Sequence, residues 1–207
     1  MIITYLGKHF IKLQVGDFTV AVNPPTLAYD PKASRFKADV VICSSFHPSN
    51  HGVDTVTYGG SEPFVIDSAG EYEVGNLWVR GFQCAIADHS GHNNIVYLLR
   101  FDDMTVVVGG ALESLDSISV EAKEEIDTTS VAIVSLGEPG GMNSHDVYKF
   151  AHSLSSGYII PVGIYEKEDM TMFLKEAGAK EVQPVDKLTI KKKDCEGKEG
   201  EVVLLNI

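Results

Sequence analysis

The stretch "ADVVICSSFHPSNHG" (residues 38–52) decides how this chain is interpreted, because an apolar strand pattern runs directly into a polar loop with two histidines. The first six residues are almost continuously apolar, which is typical of a strand covered on both faces. His47 and His51 lie four residues apart, a spacing that would put both imidazoles on one face of a helix. Pro48 and Gly52 argue against a regular helix there. The stretch therefore indicates either a metal-binding loop or an ordinary connection after a buried strand.

Around this stretch, short strand patterns fill the first half of the 207-residue chain. The apolar runs are separated by turn signals at Gly16-Asp17, Gly75-Asn76 and Asp102-Asp103, which predict hairpins. The second half begins with a helical pattern, "SLDSISVEAKEEI" (114–126), whose Leu115, Ile118 and Ala122 would share one face.

Strands and helices then alternate along the chain. "NSHDVYKFAHSLSSG" (143–157) predicts a helix capped by Asn143 or Ser144, and "KEDMTMFLKEAG" (167–178) predicts a helix that ends at Gly178. "EVQPV", "KLTIKK" and "EVVLLNI" predict strands that close the chain. This order indicates a single domain, residues 1–207, with two sheets and helices packed outside them.

Composition restricts the partners. The chain carries 29 acidic and 17 basic residues, for a formal net charge of -12, which argues against nucleic-acid binding. The one basic run, "KLTIKKKD" (187–194), is interpreted as a solvated strand edge and turn. No apolar run is long enough for a membrane helix, and no signal peptide precedes the first strand. The three cysteines form no pair motif, so we predict a cytoplasmic protein without disulfides or a thiol zinc knuckle.

Five stretches in the same order resemble the metallo-β-lactamase superfamily, and in particular its small bacterial and archaeal Zn-dependent hydrolases. "ITYLGKHFIKLQVGDFTVAVNPP" (3–25) is similar to the family's opening strand pair T-Y-L-G-H-S-x-F and the D-P that follows. The stretch quoted first stands where the family has H-x-H-x-D-H. The others are "EPFVIDSAGEYEVGNLWVRGF" (62–82), "YIIPVGIYEK" (158–167) and "VQPVDKLTIKK" (182–192). The resemblance implies an α/β fold, a four-layer αββα sandwich of two mixed sheets with helices outside.

In that family, the H-x-H-x-D-H loop supplies imidazole and carboxylate ligands to one or two metal ions, which activate water. Aligned without gaps, this chain has Ser45 and His47 at the two first histidines, Ser49 at the aspartate and Asn50 at the last histidine. One of the four ligand types remains, and serine and asparagine do not replace imidazole and carboxylate on zinc.

The other metal-site positions implied by the resemblance are also changed. The next histidine position falls at Ile86, the bridging aspartate at Gly110 and the last histidine at Gly163. The family histidine that follows "YLG" is Lys8, and the aspartate of "D-P" is Asn23. Losing this many ligands should abolish the metal site.

The prediction is a degenerate member of the fold, a pseudoenzyme without a di-metal centre and with no expected cofactor. Its role would be binding or structural, with an unidentified small molecule or protein as partner and the oligomeric state left open. The alternative is a metal-dependent hydrolase with a rebuilt zinc site, in which His47, His51, His89 and His92 converge within about 5 Å. A third hypothesis, ranked last, is metal-free chemistry from Ser45, Ser49 or Lys8.

Overall fold

The structure is a computed structural model that describes residues 1–60, 62–84, 94–101, 103–137, 140–163 and 165–207. The strands it describes are β1 Ile2–Tyr5, β2 Ile11–Val15, β3 Phe18–Val22, β4 Val40–Ile42, β5 Phe64–Ile66, β6 Gly70–Val74, β7 Leu77–Cys84, β8 Asn94–Phe101, β9 Met104–Val108, β10 Val131–Leu136, β11 Tyr158–Gly163, β12 Leu188–Thr189 and β13 Glu201–Val202. The α-helices are α1 Val120–Ile126, α2 Ser144–Ser153, α3 Lys167–Glu176 and α4 Lys192–Cys195. Single 3₁₀ turns cover Val53–Thr55, Tyr58–Gly60 and Leu115–Ser117.

The strands form two mixed sheets. The six-stranded sheet has the order β12-β1-β2-β3-β4-β5, in which β3, β4 and β5 are parallel. The seven-stranded sheet has the order β13-β11-β10-β9-β8-β7-β6, in which β9, β10, β11 and β13 are parallel. The predicted hairpins are present, with Val15 opposite Phe18, Val74 opposite Leu77 and Phe101 opposite Met104.

The main hydrophobic core lies between the sheets. Alternate residues of β1, β2 and β3 point into it, as do alternate residues of β7 to β11, because side chains along a strand alternate between its two faces. Its largest fully buried side chains include Tyr97, Ile3 and Leu99. Packing two apolar sheet faces in this way defines the sandwich, and it confirms the predicted fold class.

The outer faces of the two sheets are covered differently. Residues of α1, α2 and α3 pack on the seven-stranded sheet in a second core that includes Phe150 and Phe173. The outer face of the six-stranded sheet contributes Val41 of β4 to a small apolar cluster, which is covered by loop residues that include Phe10 and Val56. Within the described residues, the helix layer on this second side is therefore reduced.

The helix predicted across residues 114–126 is interrupted. Leu115–Ser117 forms a 3₁₀ turn, Ile118 is extended, and α1 begins at Val120 because the Ser119 hydroxyl accepts a hydrogen bond from the amide of Ala122. The single continuous helix is therefore wrong, although Ile118 and Ala122 are buried in the same cluster. The predicted cap at Asn143 is confirmed, since its side chain accepts from the amide of Asp146.

The end of the chain has less strand than its apolar pattern predicts. "EVQPV" contributes a single bridge between Val185 and Leu205, and "EVVLLNI" pairs as a strand over two residues of β13. Lys191 to Lys193 are exposed as predicted, but they begin α4 rather than continue a strand edge. None of the described helices is both long enough and apolar enough to span a bilayer.

Candidate functional site

The parallel strands of both sheets end at one edge of the sandwich. β3, β4 and β5 lead there into Asn23, Cys43 and Asp67, and β9 and β10 lead to the neighbouring ends of the second sheet. Backbone hydrogen bonds join the loops across the sheets, from Ile95 N to Ser44 O at 2.9 Å and from Gly163 N to Lys8 O at 2.7 Å. We call residues 6–10, 23–30, 43–52 and 109–112 together with Gly163 the mouth. Carboxyl ends of parallel strands are where α/β folds place their binding sites.

The loop after β4 carries four of the positions that the resemblance assigns to metal ligands, and their side chains bind one another. Ser49 Oγ lies 2.7 Å from His47 Nδ1 and 3.1 Å from Asn50 Oδ1. Asn50 Nδ2 donates to Ser45 Oγ at 3.3 Å, and the His47 amide donates to the same oxygen at 3.3 Å. Ser49 and Asn50 are buried. These polar groups are therefore satisfied within the loop itself, as buried polar groups must be.

Ser49 contacts His47 through its backbone as well as its side chain. The Ser49 amide donates to Nδ1 at 3.2 Å. The Ser49 hydroxyl at 2.7 Å gives the distance of a nucleophile–base pair, which the sequence could not reveal. His47 and Ser49 are two residues apart, and the same nitrogen also accepts from the Ser49 backbone amide. The contact is therefore a local side-chain hydrogen bond that stabilises the turn.

His51 does not share the surroundings of His47. Its Nε2 lies 3.0 Å from Asp67 Oδ2, and its ring packs edge-on against Phe46. His47 instead packs edge-on against Tyr29, with ring centroids 5.7 Å apart. Although His47 and His51 are four residues apart, their imidazoles do not face a common partner. The segment between them is a turn and not a helix.

Gly110 stands where the resemblance places the bridging aspartate, and a side chain there would meet Asn94. The backbone of Gly110 has φ +61°, and a Cβ would lie 2.5 Å from Asn94 Oδ1. Asn94 cannot easily move away, because its Nδ2 donates to Ala111 O at 2.7 Å and its Oδ1 accepts from Ala111 N at 3.1 Å. The asparagine amide therefore closes the space that a carboxylate would need.

Gly163 stands where the resemblance places the last histidine, at the end of β11. Its φ is +127°, and a Cβ would lie 2.3 Å from the carbonyl oxygen and 3.0 Å from the amide nitrogen of Leu136. Both atoms belong to the neighbouring strand β10, which pairs with β11 at this point. A histidine cannot be accommodated at this position without moving the sheet backbone.

Two further positions of the resemblance have left-handed backbone. Lys8 has φ +54° and Asn23 has φ +50°, a conformation that residues other than glycine rarely adopt. Lys8 is held by its carbonyl, which accepts from Tyr5 Oη at 2.9 Å and from the Gly163 amide. Asn23 is held by its side chain, whose Oδ1 accepts from the Ser44 amide at 2.7 Å. Such residues persist where the surroundings fix them.

Lys8 contributes a positive charge to the mouth. Its ammonium lies 2.7 Å from Asp30 Oδ2 and 4.9 Å from the centre of the Tyr29 ring. The hydrogen bond from Lys8 holds the pKa of Asp30 below its ordinary value. Lys8 therefore contacts Tyr29, and Tyr29 contacts His47 edge-on, at the surface of the mouth.

Sequence reasoning missed two residues here. His9 is 3% exposed, and its Nδ1 lies 3.5 Å from Ser135 Oγ near the end of β10. The sequence offered one indication of this, because His9 directly follows Lys8, which stands at the position of the family histidine after "YLG". Asn94 lies in "HNN", which has the composition of a surface loop, so its bonds to Ala111 could not be foreseen.

The described ligand positions do not fit a di-metal centre. Serine and asparagine are weak substitutes for imidazole and carboxylate, and the two glycines leave no room for either. Across the described parts of the chain, no group of three or more His, Cys, Asp or Glu side chains is arranged to hold a metal ion. Ile86, His89 and His92 lie outside the described residues, so the convergence of four histidines stays a prediction.

The cysteines add no ligand or nucleophile. Cys43 and Cys84 are buried, as a small hydrophobe would be, and the cysteines are all free. Burial raises the pKa of Cys84 to about 11 and raises that of Cys43 further. Both thiols therefore stay protonated at neutral pH, the unreactive form.

The two-sheet architecture and the position of the mouth define a metallo-β-lactamase-type sandwich. The chain belongs to the β-lactamase superfamily, since the family model "Beta-lactamase superfamily domain" matches residues 2–163. No curated protein matches the chain.

Solved structures agree on the fold. A protein from Thermotoga maritima, proposed to be a Zn-dependent hydrolase of this superfamily, is 25% identical with a TM-score of 0.77, over 99% of this chain and 97% of that one. Igni18, a metallo hydrolase from Ignicoccus hospitalis, is 15% identical with a TM-score of 0.63, over 92% of this chain and 99% of that one. CmlA, a diiron β-hydroxylase from Streptomyces venezuelae, is 12% identical with a TM-score of 0.64, over 92% of this chain and 54% of that one.

Proposed function

We propose that this chain is a β-lactamase-superfamily domain that works without the family's di-metal centre, in a binding or structural role. The observation that carries the proposal is Gly163, where the Leu136 carbonyl lies 2.3 Å from the place of a Cβ. A lost ligand side chain can be replaced by a neighbour, but here the sheet backbone itself fills the place where a ligand would begin.

The loop after β4 supports the same proposal. In a metal site, imidazole and carboxylate groups keep a lone pair directed at the ion and use their remaining polar atoms on surrounding partners. Here Nδ1 of His47 accepts from Ser49, and Asn50 bonds Ser45 and Ser49. The loop is therefore built as a closed polar turn, which is suited to a fixed surface.

The ligand class follows from what remains at the mouth. The mouth presents the Lys8–Asp30 ion pair, the Tyr29 ring and the His47 imidazole, with Tyr29 41% exposed. Such a surface suits a small polar molecule or a protein side chain by hydrogen bonding and stacking. The partner itself is unidentified.

Metal analysis of tag-free protein purified without chelator tests the proposal. We expect far less than one equivalent of zinc, iron or manganese per chain after dialysis. About one retained equivalent per chain would overturn the proposal. In that case, two double variants would show whether a rebuilt histidine site holds the ion: His47→Ala/His51→Ala and His89→Ala/His92→Ala. Metal content should fall only when a substituted histidine is a ligand.

A further inference from the structure

A second pocket lies at the opposite end of the sandwich from the mouth. β8 begins beside the mouth at Asn94 and ends at Phe101, and its eight residues span about 23 Å. The pocket is lined by Phe101, Met104, Asp103, Val15, Met1 and the three lysines Lys191, Lys192 and Lys193. Its volume of about 280 Å³ is just below the ~300–1,000 Å³ range of small-molecule sites, so it suits a small occupant.

The floor of this pocket is apolar and fixed. Phe101 and Met104 are 2% and 5% exposed, and both belong to the main core at the β8–β9 hairpin. Met1 and Val15 are half-buried and pack against the same core. An apolar group that replaced water over these side chains would be stabilised by the hydrophobic effect.

The rim is cationic, and it is held in place by the backbone. Met1 and Ile190 exchange two hydrogen bonds, from the α-amino group at 2.8 Å and from the Ile190 amide at 3.0 Å. The Asp194 carboxylate accepts from the Lys191 amide at 2.8 Å, and the Tyr158 hydroxyl donates to Asp194 O at 3.0 Å. These bonds tie the lysine segment to β1 and β11 beside the apolar floor.

The three lysine ammonium groups are exposed, and none is within ion-pair distance of a carboxylate in the described part of the chain. Among the described residues, two carboxylates are nearby: that of Asp103 lines the pocket, and that of Asp194 accepts from the Lys191 amide. The excess of positive charge is unusual in a chain of net charge -12, and it would attract an anion.

From this combination we infer that the pocket is a binding site for a small organic monoanion with an apolar body, of the class of short-chain carboxylates. The apolar body would lie against the half-buried side chains of Met1 and Val15, above Phe101 and Met104. The carboxylate would contact the ammonium groups of Lys191 to Lys193. Asp103 offsets part of the positive charge of the three lysines, which suits an occupant with one negative charge and an apolar body.

An NMR titration of the whole chain with hexanoate tests the inference. We expect hexanoate to shift backbone amides in residues 101–104 and 188–194. Hexanol lacks the charge and acetate lacks the apolar body, so both should bind much more weakly. If either hexanol or acetate binds as tightly as hexanoate, the pocket does not recognise the charge and the apolar body together, and the inference is wrong.

A charge-matched pair of variants completes the test. Lys191→Gln/Lys192→Gln/Lys193→Gln should weaken hexanoate binding roughly tenfold, because three exposed charges are lost at the site. Lys167→Gln/Lys175→Gln/Lys180→Gln changes the net charge equally at exposed positions away from the pocket, and it should leave the affinity within about twofold. Equal effects of the two variants would overturn the inference. The mouth is untouched in both, so the proposed function stands or falls separately.

Discussion

At the scale of single residues, the mouth is distinguished by backbone as much as by side chains. Lys8, Asn23, Gly110 and Gly163 all have positive φ, and hydrogen bonds to a neighbouring loop or strand hold Lys8, Asn23 and Gly163. In Gly163 the conformation and the contact with Leu136 both require the absence of a Cβ. A metal ligand at this position would therefore need a different course of β11, and not only a different residue.

This requirement predicts a large cost for Gly163→Ala. We expect the free energy of unfolding in urea to fall by about 2–4 kcal/mol, because strain in φ adds to a clash with backbone atoms. Gly178→Ala is the matched control, since Gly178 has φ +67° with open space around the added Cβ. Its cost should be near 1 kcal/mol. Equal losses in the two variants would show that the Leu136 contact does not constrain the site.

At the scale of elements, the loop after β4 is a polar turn attached to a rigid strand. β4 is paired on both sides and fully buried, so the loop begins from a fixed point. Its side chains then satisfy one another through Ser49, which contacts both His47 and Asn50. Ser49 is therefore the residue on which the loop conformation depends most.

Ser49→Ala should destabilise the chain by about 1–2 kcal/mol, because His47 Nδ1 and Asn50 Oδ1 both lose the buried hydroxyl. Ser34→Ala, at an exposed position, is the control and should change stability by less than about 0.5 kcal/mol. Urea unfolding measures both. A Ser49→Ala protein as stable as the Ser34→Ala protein would mean that the hydroxyl does not hold the loop.

At the scale of the whole molecule, the sandwich combines a large apolar core with a strongly acidic surface. Two sheets and the helices on one of them bury the apolar residues, and the net charge of -12 remains outside. Like charges on a compact surface repel, which lowers the stability of the folded state and keeps the protein in solution.

We therefore expect added sodium chloride to raise the melting temperature at neutral pH, most strongly up to about 0.1 M, where the Debye length falls to about 10 Å. Choline chloride at equal ionic strength should act similarly, because the effect is screening. Near pH 4.9, the isoelectric point indicated by the composition, the effect should shrink. Calorimetry at both pH values measures it, and a salt effect of equal size at both would contradict charge repulsion as the cause.

The family, the two-sheet fold and the hairpins could be predicted from the sequence, because strand periodicity and turn residues act locally and the five resembling stretches keep their order. The sequence also showed that His47 is the one family ligand type left in its loop. It predicted a continuous helix at residues 114–126 and long closing strands, and both were wrong, since the Ser119 cap and the pairing available at the sheet edge decide those boundaries.

What the mouth can hold depends on contacts that form only in the folded chain. The closeness of Gly163 to Leu136, of Gly110 to Asn94, and of Lys8 to Asp30 joins residues far apart in the chain. The divergence of His47 and His51 toward Ser49 and Asp67 likewise depends on how the loop turns. The sequence shows which chemical groups are present. Hydrogen bonding and excluded volume depend on distances between atoms, and those distances are set only when the two sheets pack together.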